Sequence, residues 1–465
     1  LTQLPLPMMS EINLVSLSTT LATNAVVEGR GAPVGLLLAG YKTPQVEKSR
    51  IETVVRKGQY VLLEGGHDAI GDEKTPLDVK SAIKALQSWR TRVSAIGISG
   101  VFSVRNPAHE IALRELATTY TNLPITCGHE LASLLDAPRR AVTVAINASL
   151  IPFISDLIAS VQEILIERSI IAPLMIVKGD GSLVKADIAL HRPVETVISG
   201  PAASVIGACH LSQARNSIVA DMGGTTTDIS IVNEGRLNIS EQETLIGDWR
   251  PMVEAIKIVS VGLGGDSEAR YKGGHGLALG PHRVIPMSLL GHQYPNVIEL
   301  LNVQLSKGAT ARSNRFALRL HATPIQLEHF SSIEHEVWDM LAEGPLEMEM
   351  LSLKFREQAK AVATLMRKGV IIYSGFTPSD AAHVLAYTNH WSHDTANIAA
   401  KIWIKQMRDV YGWGNFDLND TKRASQVIHD AVIGEITQTL IRATLTVDNQ
   451  YWSSVEISTI SNILT

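Results

Sequence analysis

Cysteine is almost missing from this sequence: Cys127 and Cys209 are the two among 465 residues. They lie far apart, with no CxxC and no metal-ligand spacing, so a disulfide framework or a cysteine-built zinc site is excluded. Two scattered thiols fit a reducing cytoplasm, where they serve as small buried apolar side chains. Aromatic residues make up 5% of the chain and the formal net charge is −5. Few stacking platforms and no basic footprint exclude a nucleic-acid binder. No run approaches the length of about eighteen apolar residues that a membrane span needs, so no membrane partner is expected. The familiar catalytic cassettes are missing too. There is no GxxxxGK[ST], no GxGxxG behind a strand, no HExxH and no GxSxG.

What remains is a globular composition, 45% apolar and 19% charged, in a chain long enough for about two to four domains. One stretch stands out chemically: Asp221-Met222-Gly223-Gly224-Thr225-Thr226-Thr227-Asp228. It follows the apolar run Ser217-Ile218-Val219-Ala220 and leads into Ile229-Ser230-Ile231-Val232, so it reads as strand, tight turn, strand. Glycines let backbone N–H groups approach an anion, and successive N–H groups in such a turn form a concave nest for phosphate oxygens. Hydroxyls add donors, and two carboxylates suit a hydrated Mg²⁺. The stretch is expected to bind phosphate.

Elsewhere the chain alternates strands and helices. Residues 34–39 and 93–100 are apolar runs expected as buried strands, 79–91 carries helical spacing, and 141–167 reads as a long apolar-faced helix. Thr19, Thr20, Thr23 and Asn24 cluster at the start of a short helix, where capping explains one or two of them and a ligand contact would explain the group. Arg105-Asn106-Pro107-Ala108-His109-Glu110 opens a helix beyond the carboxyl end of the strand at 93–100, the place where open α/β sheets hold ligands. His67, His109 and Glu110 are candidate proton-transfer groups. Gly262-Leu263-Gly264-Gly265-Asp266-Ser267 is a second glycine-rich turn, expected to enter a helix and offer an anion site. From about residue 300 the pattern becomes helix-rich. The whole argues for an α/β fold with a largely parallel core.

The hairpin resembles the second phosphate motif of the actin-like ATPase superfamily. The more specific resemblance is to the hydantoinase/oxoprolinase family within it. It rests on Ser18-Thr19-Thr20-Leu21-Ala22-Thr23-Asn24, Gly65-Gly66-His67-Asp68, Arg105 to Glu110 and Gly179-Asp180-Gly181. Arg192 to Ala203, Gly264-Gly265-Asp266-Ser267 and Gly375-Phe376-Thr377-Pro378-Ser379-Asp380 complete it. The resemblance implies a two-lobed, ribonuclease H-like ATPase fold with a helical insert. It also implies ATP-dependent opening of a cyclic amide such as a hydantoin, 5-oxoproline or a related lactam, with ATP phosphorylating the amide oxygen. Carried over, Asp221 and Asp228 would hold Mg²⁺ and act in catalysis. Gly223, Gly224, Thr225, Thr226 and Thr227 would cradle phosphates, and Gly264, Gly265 and Asp266 would approach ATP from the other side. Thr19, Thr20, Asn24, His109 and Glu110 would face the substrate.

There are departures. Leu17-Ser18 stand where active members resemble His-Gly before the two threonines, and Asp266 stands where many have a third glycine. The expected lobes run over residues 1–200, then 201–300 carrying the hairpin, then a helix-rich 301–465. Since each half of the actin-like fold opens with a phosphate hairpin, one hairpin implies a chain truncated at both ends and inactive alone. The resemblance also implies a homo-oligomer or a second hydantoinase-type subunit as partner. Alternative readings are an ATP-dependent carboxylase subunit similar to that of acetone carboxylase, or a non-enzymatic actin-like nucleotide-binding protein.

Overall fold

A computed structural model describes residues 11–27, 29, 31–55, 59–240, 245–320 and 330–447. The cut ends expected at residues 1–10 and 448–465 lie outside these. The chain divides into two compact units, Leu1–Val219 with Ser230–Ile258, and Ala220–Ile229 with Val259–Thr465.

The first unit is built on a parallel sheet. Strands β2 (Val34–Ala39), β3 (Tyr60–Leu63), β4 (Ala95–Gly100) and β5 (Ile125–Cys127) lie in the order β3-β2-β4-β5. Every residue of β2 and β4 is buried, as expected of central strands covered on both faces. One face packs Leu37, Ile96 and Ile98 against Leu86 and Trp89 of helix α2 (Val79–Trp89) and Leu113 of α3 (Ala108–Tyr120). The other packs Leu36 and Leu38 against α5 (Ala137–Glu167), which follows the single-turn helix α4 (Gly128–Leu131). Asp136 caps α5 by accepting from the Arg139 N–H at 3.1 Å, which starts the helix four residues before the apolar pattern at 141. By length and composition α5 is the one described helix that could cross a membrane, yet most of its apolar window is buried as a core helix. A smaller sheet pairs β1 (Val15–Leu17) in parallel with β6 (Leu174–Val177), and β6 antiparallel with β7 (Leu183–Lys185). Helix α1 (Leu21–Val27) follows β1, and α6 (Ser199–Ser212) closes the run before the phosphate-motif strands.

Strands β8 (Ser217–Met222) and β9 (Thr227–Asn233) carry the chain into the second unit and back. Within that unit β9 pairs antiparallel with β10 (Val259–Val261), placing Ser260 opposite Asp228. The helix expected after Gly262 to Ser267 is a strand instead. Here β11 (Ser267–Tyr271) pairs antiparallel with β12 (Leu277–Arg283). The reason is local: the Ser267 hydroxyl accepts the Gly264 N–H at 2.9 Å, and the glycine-rich 273–276 turn returns the chain as a hairpin. Beyond it β13 (Ile285–Pro286), β14 (Phe316–Arg319), β15 (Leu346–Glu347) and β16 (Ile371–Gly375) form a mixed sheet in the order β13-β16-β14-β15. Its core joins Phe316, Leu318 and Ile372 to Ala400 and Trp403 of the helix His393–Asp409. Helices α7 (Met287–Gln293) and α8 (Pro378–Val384) are tied by Asp380, which is wholly buried and accepts from Met287 N at 3.0 Å, Ser288 N at 2.7 Å and Thr377 N at 3.0 Å.

Candidate functional site

The β8–β9 turn folds as the sequence predicts, strand to turn to strand, and its internal hydrogen bonding shows which groups remain available. Gly223 N–H donates to Thr226 O at 2.9 Å and closes the bend. The N–H groups of Gly224, Thr225 and Thr226 make no hydrogen bond among the described residues. Three consecutive unpaired amides in a glycine turn form an anion nest. Gly223 and Thr225 are exposed and Thr226 is half-buried, so the nest is open to a ligand. Thr227 is different: it is fully buried, and its hydroxyl donates to Leu263 O at 2.7 Å, so it anchors the turn.

Two carboxylates flank this nest. Asp221 is exposed, while Asp228 is half-buried and accepts a short bond from the Ser260 hydroxyl. Burial pushes the Asp228 carboxyl above its ordinary value, the negative charge of Asp221 adds to the rise, and the Ser260 bond opposes it. A carboxylate raised by burial and by a neighbouring acid, beside free amides, is part of the oxygen donor set a hydrated divalent cation relieves.

The second glycine turn is interlocked with the first. Gly265 N–H donates to Gly223 O at 3.0 Å and Asp266 N–H to Gly224 O at 2.8 Å. A Cβ on Gly264 would lie 2.4 Å from the Gly224 carbonyl carbon, so side-chain-free backbone is required there. The Asp266 carboxylate sits over Gly224 and pairs with Arg283 at 3.2 Å. Gly265 and Asp266 therefore hold the hairpin through their own backbone donors, while the Gly264 N–H is taken by the Ser267 hydroxyl, and Asp266 adds a third acid at the hairpin's edge. Ser379 N–H donates to Gly265 O at 2.9 Å, which joins the start of α8 to the same turn.

In the first unit the predicted residues separate into two groups. Thr19 is engaged structurally: its hydroxyl accepts the Leu21 N–H at 3.0 Å, and its carbonyl accepts the Ser199 hydroxyl at 3.0 Å. Thr23 likewise accepts Ile198 N–H at 3.0 Å. Thr20, just before α1, and Asn24 within it are exposed, and the Asn24 amide donates to the Thr20 hydroxyl at 3.4 Å. His109 is buried with both ring nitrogens occupied. Its Nδ1 accepts the Gly66 N–H at 3.0 Å, which fixes the proton on Nε2, and Nε2 faces Glu73 Oε1 at 2.9 Å. His67 is also buried and packs on the His109 ring at 4.3 Å between centroids; burial holds its pKa low.

Glu110 has no exposed surface. Its Oε1 accepts Gly100 N–H at 2.7 Å, and its Oε2 accepts the backbone N–H of His129 at 2.8 Å and Nδ1 of the same residue at 2.5 Å. Around it Tyr41 bonds Ser99 at 2.8 Å and Ala137 O at 2.7 Å, and the wholly buried Arg140 donates to Gly100 O at 2.9 Å. Glu110, Cys127 and His129 offer ligand atoms within 4.8 Å of one another. The direct Glu110–His129 bond occupies the space an ion would need, burial pushes the Cys127 thiol up, and the Arg140 side chain backs the same pocket. This is a hydrogen-bonded cluster rather than a metal centre. Sequence reasoning passed over His129; the available signal was Cys127-Gly128-His129 at the carboxyl end of β5, beside β4. Of the two thiols, Cys127 is buried and Cys209 half-buried.

Comparison with known proteins places this geometry. The hydantoinase/oxoprolinase profile matches residues 140–285, and the profile of that family's N-terminal region matches residues 2–121. Together they cover more than half of the 465 residues. The chain is 28% identical over 299 residues to caprolactamase subunit alpha of Pseudomonas jessenii, covering 60% of this chain and 42% of that one. It thus spans under half the length of that relative. Nucleotide-free acetone carboxylase superposes with a TM-score of 0.58 at 17% identity, covering 94% of this chain and 55% of its own. ATP-dependent caprolactamase of Pseudomonas jessenii superposes with a TM-score of 0.53 at 23% identity, covering 79% and 56%. The chain shares their actin-like ATPase fold.

Proposed function

The chain belongs to the hydantoinase/oxoprolinase family, and on that footing we propose that it carries the second phosphate grip of an ATP-dependent hydrolase opening a cyclic amide. The observation that carries this reading is the trio of unpaired N–H groups at Gly224, Thr225 and Thr226 between Asp221 and Asp228. ATP, when bound, supplies a phosphoryl group that turns an amide oxygen into a leaving group. The residues of this chain bind and orient. The three amides hold phosphate oxygens, the Thr225 and Thr226 hydroxyls extend the nest, and the two carboxylates would hold Mg²⁺ through water. Catalysis at this end is positioning and charge neutralisation. A second subunit is part of the proposal, in keeping with the alpha-subunit name of the Pseudomonas jessenii relative.

The test is titration of the chain with ATP and Mg²⁺, followed by turnover on a panel of lactams and hydantoins. Binding that needs Mg²⁺, is lost in Asp221→Asn, and turns over faster with one cyclic amide supports the reading. Turnover indifferent to every cyclic amide removes it. A second reading, an ATP-dependent carboxylase subunit, draws on the coverage of 94% of the chain by the acetone carboxylase fold. Bicarbonate-dependent ATP turnover would separate it from the first.

A further inference from the structure

The second unit holds a cavity of about 310 Å³ alongside β11, and none of its lining residues belongs to the phosphate hairpin or to the turn interlocked with it. Its walls come from β11 and β12, from residues 311–315, from the end of β16, and from the helix His393–Asp409 with Tyr411 beyond it. That volume suits a small organic molecule. The charges on its walls do not balance. Glu268 is paired with Arg315, whose guanidinium also lies 5.3 Å from the centre of the Tyr373 ring. Arg270, half-buried two positions further along β11, has no ion-pair partner among the described residues. Its Nη2 reaches the Gly280 carbonyl at 3.4 Å, and its Nε is buried without a partner. A guanidinium set into a wall without a counter-ion is a planar fork of donors that fits a carboxylate. An acceptor is open as well. Gln406 is 9% exposed and its Nε2 donates to Thr310 O at 2.9 Å, which leaves Oε1 without a partner among the described residues. Tyr271 and Tyr411 stack at 5.2 Å between ring centres and give the cavity a flat apolar wall.

We propose that this cavity binds a small organic anion carrying one carboxylate, one amide N–H and a flat apolar group. Arg270 takes the carboxylate, Gln406 Oε1 accepts from the N–H, and the flat group lies against the Tyr271–Tyr411 pair. The charge count selects a single carboxylate. With Glu268 and Arg315 cancelling, and the exposed His282 aside, one negative charge neutralises Arg270. A phosphate dianion would bring a second charge close to Glu268, and a zwitterionic amino acid would leave the charge of Arg270 uncompensated. The site stands apart from the cyclic-amide reading above, and neither depends on the other.

The probe is N-benzoylglycine, titrated into the full chain by calorimetry, with an expected Kd of about 1 mM or lower. Its primary amide, which lacks the charge, should bind about 10–100-fold more weakly, and Arg270→Gln should weaken N-benzoylglycine to the same extent. The N-methyl analogue, which lacks the N–H, should lose about 2–10-fold. Gln406→Leu should cost N-benzoylglycine that same factor and leave the N-methyl analogue unaffected. Tm and ATP·Mg²⁺ binding check that each variant folds; where one does not, the three probes on the wild type decide. Absence of saturable binding by N-benzoylglycine overturns the proposal, as does its displacement by inorganic phosphate at equal concentration. Unchanged affinity in a folded Arg270→Gln overturns it too. If that variant folds but loses ATP·Mg²⁺ binding, the cavity belongs to the nucleotide and the proposal falls.

Discussion

Two polar regions of this chain look alike in sequence and behave oppositely in structure. The hairpin at 221–228 and the cluster at the carboxyl ends of β2, β4 and β5 are both dense in hydroxyls, acids and glycines. In the cluster nearly every polar group has a partner: Glu110 accepts three bonds, Tyr41 makes two, and His109 uses both nitrogens. In the hairpin three backbone donors have no partner among the described residues. Saturated polar groups specify a core, whereas unsaturated ones at a surface await a ligand. The density of polar residues does not separate the two cases; the hydrogen-bond ledger does.

The largest effect should come from attacking the saturated region. Glu110→Ala strands two backbone donors and the His129 ring, and should cost about 3 kcal/mol or more of stability, read as a fall in Tm. The matching change in the open region, Asp221→Asn, should leave unfolding stability within about 0.5 kcal/mol yet weaken ATP·Mg binding about 100-fold, or about 2.7 kcal/mol, by calorimetry. The comparison breaks if both changes act alike.

Next in size is Gly264→Ala. Its Cβ would meet the Gly224 carbonyl carbon at 2.4 Å, an overpacking cost of about 1–3 kcal/mol, accompanied by weaker ATP binding. Gly434→Ala, in an exposed helical turn with nothing within 4 Å, should instead stabilise by about 0.5–1 kcal/mol. Tyr41→Phe, which leaves the Ser99 hydroxyl and Ala137 carbonyl short of a partner, should cost about 1–2 kcal/mol in denaturant unfolding.

The smallest effect is on pH dependence. Because burial and Asp221 raise the folded Asp228 pKa, the folded state holds a proton that the unfolded chain has already released. That contribution is complete below the unfolded value and is lost as pH rises through the folded one. Mg²⁺ must displace the same proton, so its affinity should climb with pH just above the ordinary carboxylate range. Asp228→Asn should flatten both curves.

Much of the fold was legible because it rests on local pattern. The all-apolar Val34 to Ala39, the helically spaced residues 79–91 and the Gly-Thr hairpin each announce themselves within about ten residues. The parts that were not legible depend on distant partners. The segment after Gly265 becomes a strand because the 277–283 segment pairs with it, and sequence spacing cannot show that pairing. Thr227 was expected among the phosphate ligands, but its hydroxyl is turned to Leu263, 36 positions on. His129 stayed hidden because its meaning comes from Glu110, 19 positions earlier and on another element.

The interlocked glycine turns also limit how this sequence can drift. Position 264 cannot gain a side chain without striking the Gly224 backbone, and one at 224 would strike the Asp266 carboxylate. Position 266 is the place in the turn where a side chain is accommodated, its carboxylate lying over Gly224 and paired with Arg283. The turn therefore accepts a side chain at 266 and resists one at 264 and 224.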